Sequence, residues 1–496
     1  MLEIAKEDVV ARLRFDNPWW EIESSQPIPF QGSPRRRYFP GFLQNIKSSE
    51  LKRATILMGP RRVGKTVMVY QAISDLIVGG EDGGSILYIS LETPIYTGLS
   101  LEKLVNYFCE IRNIERNQVA YIFFDEIQYL KGWEVHLKSL VDSFPSYRFV
   151  ATGSAAAALR LKSNESGAGR FTDFVLPPLT FAEYLAFTNN ETKLIINPGV
   201  IDEAYTGDDH VPGYKTSNIE ALNAEFINYL NYGGYPEAVI VDRVRENPEQ
   251  YIKSDIIDKV LLRDLPSLYG INDIQELNRL FTTLAYNTGG EVNLEGLSKS
   301  SGVAKNTIKR YLEYLEAAFL IRKVERIDNN AKRFKRATAF KVYLTNPSMR
   351  AALFGRIGAD SPNIGLLVET AIFSQWQHSR ASNLYYARWQ SGEVDIVSMS
   401  SSRQTPHWAV EVKWSDKPVA SNGELANCVE FTRLNPSVSQ PILVTTRTIS
   451  GRTTFCETEF RFKPAALYAY TLGANLLEKV WEDPEILRTS QVPQTP

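Results

Sequence analysis

The run Gly59-Pro60-Arg61-Arg62-Val63-Gly64-Lys65-Thr66 fits GxxxxGK[ST] in full, and Val67 continues it into the apolar pattern VMVYQAISDLI. The glycines let backbone N–H groups curl around phosphate oxygens, and the positive end of the following helix adds to the attraction. Lys65 is expected to reach the β- and γ-phosphates, and the Thr66 hydroxyl to ligate Mg²⁺. With Gly at about 7% of residues, a chance match in a chain of 496 residues is roughly a one-in-a-hundred event. About 55 residues on, Tyr121-Ile-Phe-Phe-Asp125-Glu126 delivers two acids at the end of an apolar run. Asp125 is expected in the Mg²⁺ shell, and Glu126 as the base that orients or deprotonates an attacking water. The segment Ala151-Thr152-Gly153-Ser154 ends another apolar run; its hydroxyl either sits beside the γ-phosphate or is a polar strand end. Arg170 follows a GAG segment and is either an arginine finger, in cis or toward a neighbouring subunit, or a surface arginine. ATP and Mg²⁺ are thus the expected cofactors.

A second constellation lies far downstream. Glu393-Val-Asp395-Ile-Val is followed by Glu411-Val-Lys413, and Glu369 lies on an apolar helix with the stripe Ile364, Leu367, Val368, Ala371 and Ile372. Strand alternation predicts Glu393 and Asp395 on one face with Val394 and Ile396 on the other, and Glu411 beside Lys413 with Val410, Val412 and Trp414 opposite. Converging carboxylates (Glu369, Asp395, Glu411) could hold Mg²⁺, and Lys413 could activate water and stabilise developing charge. The set resembles the PD-(D/E)xK nuclease arrangement, without a Pro before Asp395. The competing expectation is a domain of that type kept for binding alone.

Residues 293–320, NLEGLSKSSGVAKNTIKRYLEYLEAAFL, read as a short helix, a turn at Gly302 and a longer helix with Ile308, Leu312, Leu315 and Phe319 on one stripe. IRKVERI, the turn DNN and FKVYLTN then predict a hairpin, completing a winged-helix pattern. Between Lys299 and Lys341 lie twelve basic and four acidic residues, an excess of eight. Lys305, Asn306, Lys309 and Arg310 open the second helix, where a recognition helix meets a DNA groove. The alternatives are a lid on the phosphate-binding domain or a protein contact, with the charge only a solvated face.

These side chains need elements to hold them. TILM, ILYISL, YIFF, RFVATG and FVLP are continuous apolar runs, mostly separated by helix-length segments, which predicts a parallel sheet covered on both faces. Ahead of it, five prolines between Pro18 and Pro40 and the run Arg35-Arg36-Arg37 predict a mostly extended arm. There Trp19, Trp20 and the arginines would touch adenine or DNA, or merely pack. The expected organisation is an α/β multidomain chain. A Pro-rich basic arm (1–50) precedes a P-loop ATPase core (51–190), an insertion and helical linker or lid (191–290), a winged-helix-like unit (291–345), an endonuclease-like α/β domain (346–475) and a tail (476–496).

The 55 basic and 57 acidic residues give a net charge of −2, so no global field draws the chain to nucleic acid, and binding must come from a local patch. No apolar run reaches the roughly 18–20 residues of a membrane helix, and no signal-peptide pattern opens the chain. Three scattered cysteines and four scattered histidines argue against a disulfide framework and a zinc site, and for a reducing, cytoplasmic setting.

GPRRVGKT, IFFDEIQYLKGWE, VATGSAAA and GRFTDFVLPPLTFAEYL together resemble the prokaryotic AAA-type predicted ATPases, from about Arg37 to Trp414. That resemblance implies a RecA-like core with the phosphate loop and the acidic strand side by side, often followed by a restriction-endonuclease-like domain of unknown function. The resemblance implies no settled role; the motifs carry two main functions, beside the blander one of an ATPase with no nucleic-acid role. One is an ATPase that acts on DNA and gates a Mg²⁺-dependent nuclease. The other is a nucleotide-dependent switch or adaptor that binds DNA or a protein without cutting. A homo-oligomer is open under either.

Overall fold

Apolar runs pair into two sheets in the computed structural model, which describes residues 5–21, 27–48, 52–153, 169–196, 201–202, 211–212, 214–332, 339–378, 383–400 and 404–482. Ser154, most of the GAG segment, part of the expected insertion (191–290), the basic residues Arg333, Lys335 and Arg336, and residues 483–496 of the expected tail lie outside the described residues. The chain divides into two compact units, residues 1–177 and 178–496. Phe181–Phe187, which the sequence placed in the first domain, is part of the second.

The first unit opens with α1 (Lys6–Asp16) and α2 (Phe39–Lys47). The N-terminal segment is therefore largely folded rather than an extended arm. Two of its five prolines sit at helix starts, where the missing N–H costs nothing: Pro18 begins a 3₁₀ turn and Pro40 lies in the first turn of α2, whereas Pro27, Pro29 and Pro34 lie outside helices. Trp20 is buried and donates to the Ile86 carbonyl at 2.7 Å, so packing is its role here. Then come β1 (Ala54–Met58), α3 (Lys65–Val78), β2 (Ile86–Ser90), α4 (Leu101–Arg112), β3 (Ala120–Asp125), α5 (Trp133–Ser143), β4 (Tyr147–Gly153) and β5 (Phe171–Val175).

All five strands are parallel, in the order β2-β3-β4-β1-β5. Strands β1 and β3 are buried throughout, as expected for a sheet covered on both faces. The order corrects one expectation. The phosphate-loop strand β1 and the acidic strand β3 are not neighbours, because β4 lies between them. The end of β4 is thereby brought into the site.

The second unit begins with α6 (Phe181–Phe187) and α7 (Ile219–Tyr232). A helical stretch then runs through Pro248–Tyr269 and includes wide π-type turns at Ile252–Asp258 and Val260–Asp264. It continues through α8 (Ile274–Tyr286), β6 (Glu291–Asn293), α9 (Leu294–Ser301), α10 (Lys305–Ala317), β7 (Ile321–Ile327) and β8 (Ala339–Leu344). After α11 (Ser348–Phe354) and α12 (Ile364–Gln375) come β9 (Leu384–Arg388), β10 (Glu393–Met399) and β11 (Pro406–Glu411). The unit closes with α13 (Ala426–Leu434), β12 (Ile442–Thr446), the hairpin β13 (Gly451–Phe455) and β14 (Thr458–Pro464), and α14 (Ala465–Glu482).

Nine strands form one mixed sheet in the order β6-β8-β7-β9-β10-β11-β12-β14-β13. The short parallel pairing of β7 with β9, Arg326 to Tyr386 and Ile327 to Ala387, joins the helix–turn–helix hairpin to the C-terminal strands. The sheet runs unbroken across the domain boundary that the sequence placed at residue 345. One hydrophobic cluster includes α7, α12 and α14 with Ile396, Val410, Val412 and Trp414, and a second unites Val394, Val397 and Ala409 with Phe431 of α13.

Candidate functional site

The phosphate loop leaves β1 at Gly59. A Cβ there would lie 2.2 Å from the Leu176 carbonyl oxygen, so only glycine lets the loop pass the exit of β5. Gly64, at φ +97°, takes the left-handed turn that caps α3, and Arg62 just before it is also left-handed at φ +64°. This winding places Lys65 and Thr66 in the first turn of a 14-residue helix. Val63 is fully buried and anchors the loop. Pro60, Arg61 and Arg62 complete the loop, and Val67 follows in the first turn of α3. The Lys65 ammonium donates to the carbonyls of Pro60 (2.8 Å) and Gly59 (3.1 Å), folded against its own loop.

Across the sheet edge, Asp125 is almost wholly buried and collects three hydroxyl donors. Thr66 Oγ1 stands 2.8 Å from its carboxylate and the Tyr88 hydroxyl 3.0 Å, and Thr152 Oγ1 donates to the other oxygen. Burial pushes the Asp125 carboxyl above its ordinary value, Glu126 pushes the same way, and the hydroxyls of Thr152, Thr66 and Tyr88 pull back. Thr152 also accepts the Glu126 N–H at 3.1 Å. It therefore holds the end of the acidic strand, a position set by β4 lying between β1 and β3. Glu126 sits at φ +53°, a strained conformation for a non-glycine residue, and its carboxylate accepts from Gln128.

A paired hydroxyl and carboxylate beside a glycine-wound loop fit a nucleotide-bound Mg²⁺. That ion is normally held by one or two protein oxygens plus phosphates and water. When bound, it would neutralise phosphate charge; Thr66 and Asp125 would hold it.

One residue here escaped the sequence reading, and another, Arg36, takes the packing alternative expected for the arginine run. Tyr88 comes from β2, which carries no motif. Arg36, buried, donates to the carbonyls of Val63 (2.8 Å) and Pro177 (2.9 Å) and so ties the phosphate loop to the exit of β5. Arg170 lies on the surface, ion-paired with Asp142.

In the second unit, Asn293 caps α9 by accepting from the Gly296 N–H, and Gly302 at φ +74° turns the chain into α10. Ile308, Tyr311, Leu312 and Leu315 are buried, whereas Phe319 lies beyond the helix at φ +57°. Lys305, Asn306, Lys309 and Arg310 are all exposed. Lys305 stands 3.7 Å from Glu295.

The carboxylates downstream do gather, but not around an open centre. The ammonium of Lys341, on β8, lies 2.8 Å from Glu369, 2.6 Å from Glu393 and 3.8 Å from Asp395. Tyr343, two residues along and on the same face, donates to Glu369 at 2.6 Å and stacks on Phe373. Asp395 accepts the Val412 N–H at 2.8 Å. Glu411 pairs with Lys413 at 2.6 Å, and burial followed by the charge of Asp395 pushes Glu411 up to about 8. Burial alone would lower Lys341, but Glu369 and the other neighbouring acids outweigh it and raise it well above the ordinary lysine value.

Three expectations change here. Among the described residues no three His, Cys, Asp or Glu side chains form a group that could hold a metal ion, and the acids given metal roles stand beside lysines instead, Glu369 and Asp395 beside Lys341 and Glu411 beside Lys413. Val394 and Ile396 do not share a face either. Ala387 pairs with Val394 and Tyr385 with Val397, so a β-bulge at Asp395–Ile396 sends the two apolar side chains into different clusters. Lys413 lies beyond the end of β11, held by Thr445 through its backbone N–H and carbonyl.

A parallel five-stranded sheet with a glycine-wound phosphate loop facing a hydroxyl-bound aspartate defines a P-loop nucleotide-binding domain. Residues 51–185 match the family model of an AAA domain, and residues 223–360 match that of a domain of unknown function, DUF8612. The first unit accordingly carries a nucleotide-binding, AAA-type ATPase domain. An uncharacterized protein of Haemophilus influenzae is 26% identical over 369 residues, covering 73% of this chain and 83% of its own. Another, from Methanocaldococcus jannaschii, is 25% identical over 374 residues, covering 73% and 76%. Among solved structures, AMPPCP-bound DnaA from Aquifex aeolicus aligns at 12% identity with a TM-score of 0.29, over 60% of this chain and 93% of that one. C. elegans PCH-2 aligns at 11% identity with a TM-score of 0.26, over 49% and 61%. No helix among the described residues is long and apolar enough to cross a membrane.

Proposed function

We propose that this chain hydrolyses ATP with Mg²⁺ and acts on DNA as a nucleotide-dependent switch, without cutting it. The Asp125 cluster carries the ATPase part of the reading: one buried carboxylate joins the Thr66 and Thr152 hydroxyls, with Lys65 in the loop and Glu126 on a strained turn beside it. In this reading Lys65 moves from its loop carbonyls onto the β- and γ-phosphates, Glu126 orients the attacking water, and Thr152 holds Asp125 and Glu126 in register. The helix–turn–helix with its hairpin supports a winged-helix role, and the exposed set Lys305, Asn306, Lys309 and Arg310 supports DNA contact through α10.

The endonuclease-like reading rests on Asp395, Glu411 and Lys413 near Glu369. The ammonium of Lys341 among those acids favours the non-cutting alternative. Lys65→Ala should abolish ATP hydrolysis, and wild type incubated with Mg²⁺ or Mn²⁺ should leave DNA intact with or without ATP. Cleavage lost on Lys413→Ala would restore the nuclease reading, and full hydrolysis by Lys65→Ala would remove the ATPase assignment.

A further inference from the structure

Glu369, Asp395 and Glu411 are buried and Glu393 beside them is part-buried, and each has a cationic side chain within 4 Å. Lys341 is 4% exposed and lies against Glu369, Glu393 and Asp395; the Glu369 and Asp395 side chains are each 11% exposed. Arg388 stands 3.5 Å from the second oxygen of Glu393, and Lys413 pairs with Glu411. Buried carboxylates need this kind of compensation, because leaving a buried charge unpaired is strongly destabilising.

The backbone fixes the ammonium in place. Strand β8 is hydrogen-bonded on both sides, with Lys341 opposite Glu291 of β6 and Val324 of β7. The Lys341 ammonium also lies 5.2 Å from the centre of the Tyr386 ring. Tyr343 holds Glu369 from the same face of β8. A divalent cation binding between Glu369 and Asp395 would have to share the site with the positive charge of a lysine side chain only 4% exposed.

We propose that Lys341 is the resident cation of this cluster. Its ammonium takes the place of a divalent ion between Glu369, Glu393 and Asp395, so the native chain binds no Mg²⁺ or Mn²⁺ there. The same interaction latches the hairpin that follows the helix–turn–helix to the bulged acid strand. The assignment deepens the non-cutting reading, and its test has a separate readout.

Mn²⁺ binding to the full chain is measured by electron paramagnetic resonance without nucleotide, in an Asp125→Asn background that removes the carboxylate of the first unit. The parent, Asp395→Asn and Glu369→Gln are expected to bind Mn²⁺ alike. Lys341→Met is expected to gain one equivalent, lost again when combined with Glu369→Gln. An equivalent bound by the parent and lost in Asp395→Asn or Glu369→Gln overturns the proposal. So does a folded Lys341→Met that gains none. Should Lys341→Met fail to fold, the comparison among the parent, Asp395→Asn and Glu369→Gln still decides. Mn²⁺ bound without DNA cleavage would sink the resident cation and leave the non-cutting reading standing. Cleavage with no Mn²⁺ bound at these acids would do the reverse.

Discussion

At the residue scale the nucleotide site turns on one hydroxyl. Thr152 Oγ1 donates to the Asp125 carboxylate and accepts the Glu126 N–H, so it links the metal-side acid to the residue proposed to handle water. A hydrogen bond to a charged group contributes about 1.5–3 kcal/mol, which corresponds to roughly 10- to 100-fold in rate if it is needed only in the transition state. Thr152→Val keeps the shape and removes both bonds. We expect kcat for ATP hydrolysis to fall by about that factor while KM changes little, as steady-state kinetics would show. An equal loss in affinity would instead make Thr152 part of the nucleotide-binding surface, beside the γ-phosphate. Lys65, Thr66, Asp125 and Glu126 were legible in the sequence because their spacing is fixed by a local loop and a strand end. Tyr88 was not, nor were the partners of Arg36 and Lys341. Each reaches its partner through long-range strand pairing or packing, and no local pattern marks them.

Elements show the same division. Five parallel strands could be read from apolar runs, since the central strands β1 and β3 are buried on both faces. The N-terminal arm misled because prolines at helix starts look like prolines in extended chain. Alternation misled at β10, where the bulge at Asp395–Ile396 shifts the phase and re-aims the acid. Helix α12 was read as a stripe but is buried along nearly its whole length, Glu369 included. For α10 the reading transfers except at Phe319, which lies past the helix end: Ile308, Leu312 and Leu315 pack inward, and the cations face solvent. Lys309→Glu combined with Arg310→Glu should leave the melting temperature nearly unchanged, since exposed substitutions usually stay within about 0.5 kcal/mol. DNA affinity should drop, and the slope of log affinity against log salt should flatten by roughly one for each phosphate that is no longer neutralised. Fluorescence anisotropy across a salt series measures both. An unchanged slope would remove α10 from the interface.

At the scale of the whole molecule, the buried ionic cluster makes folding stability depend on pH. Glu411 is raised from 4.5 to about 8 in the folded chain, by burial first and then by Asp395. Between those values the folded state holds a proton that the unfolded state has released. Stability from this group is therefore fully present below about pH 4.5 and is lost as pH rises through about 8. Glu369 is also raised, chiefly by burial, and adds in the same direction. Lys341 and Lys413 are raised above the ordinary lysine value of 10.5, so their contributions stay constant across this window and decline only in stronger alkali. A shift of this size corresponds to a few kcal/mol, on the order of what one or two point mutations remove. Glu411→Gln takes away the titrating group and leaves Lys413 charged throughout the window. The gap between variant and wild-type melting temperatures should move steadily in favour of the variant from about pH 5 to about pH 9, followed by differential scanning calorimetry. Parallel curves would mean that Glu411 is ionised across the whole range, with its charge carried by the 2.6 Å pairing with Lys413 alone.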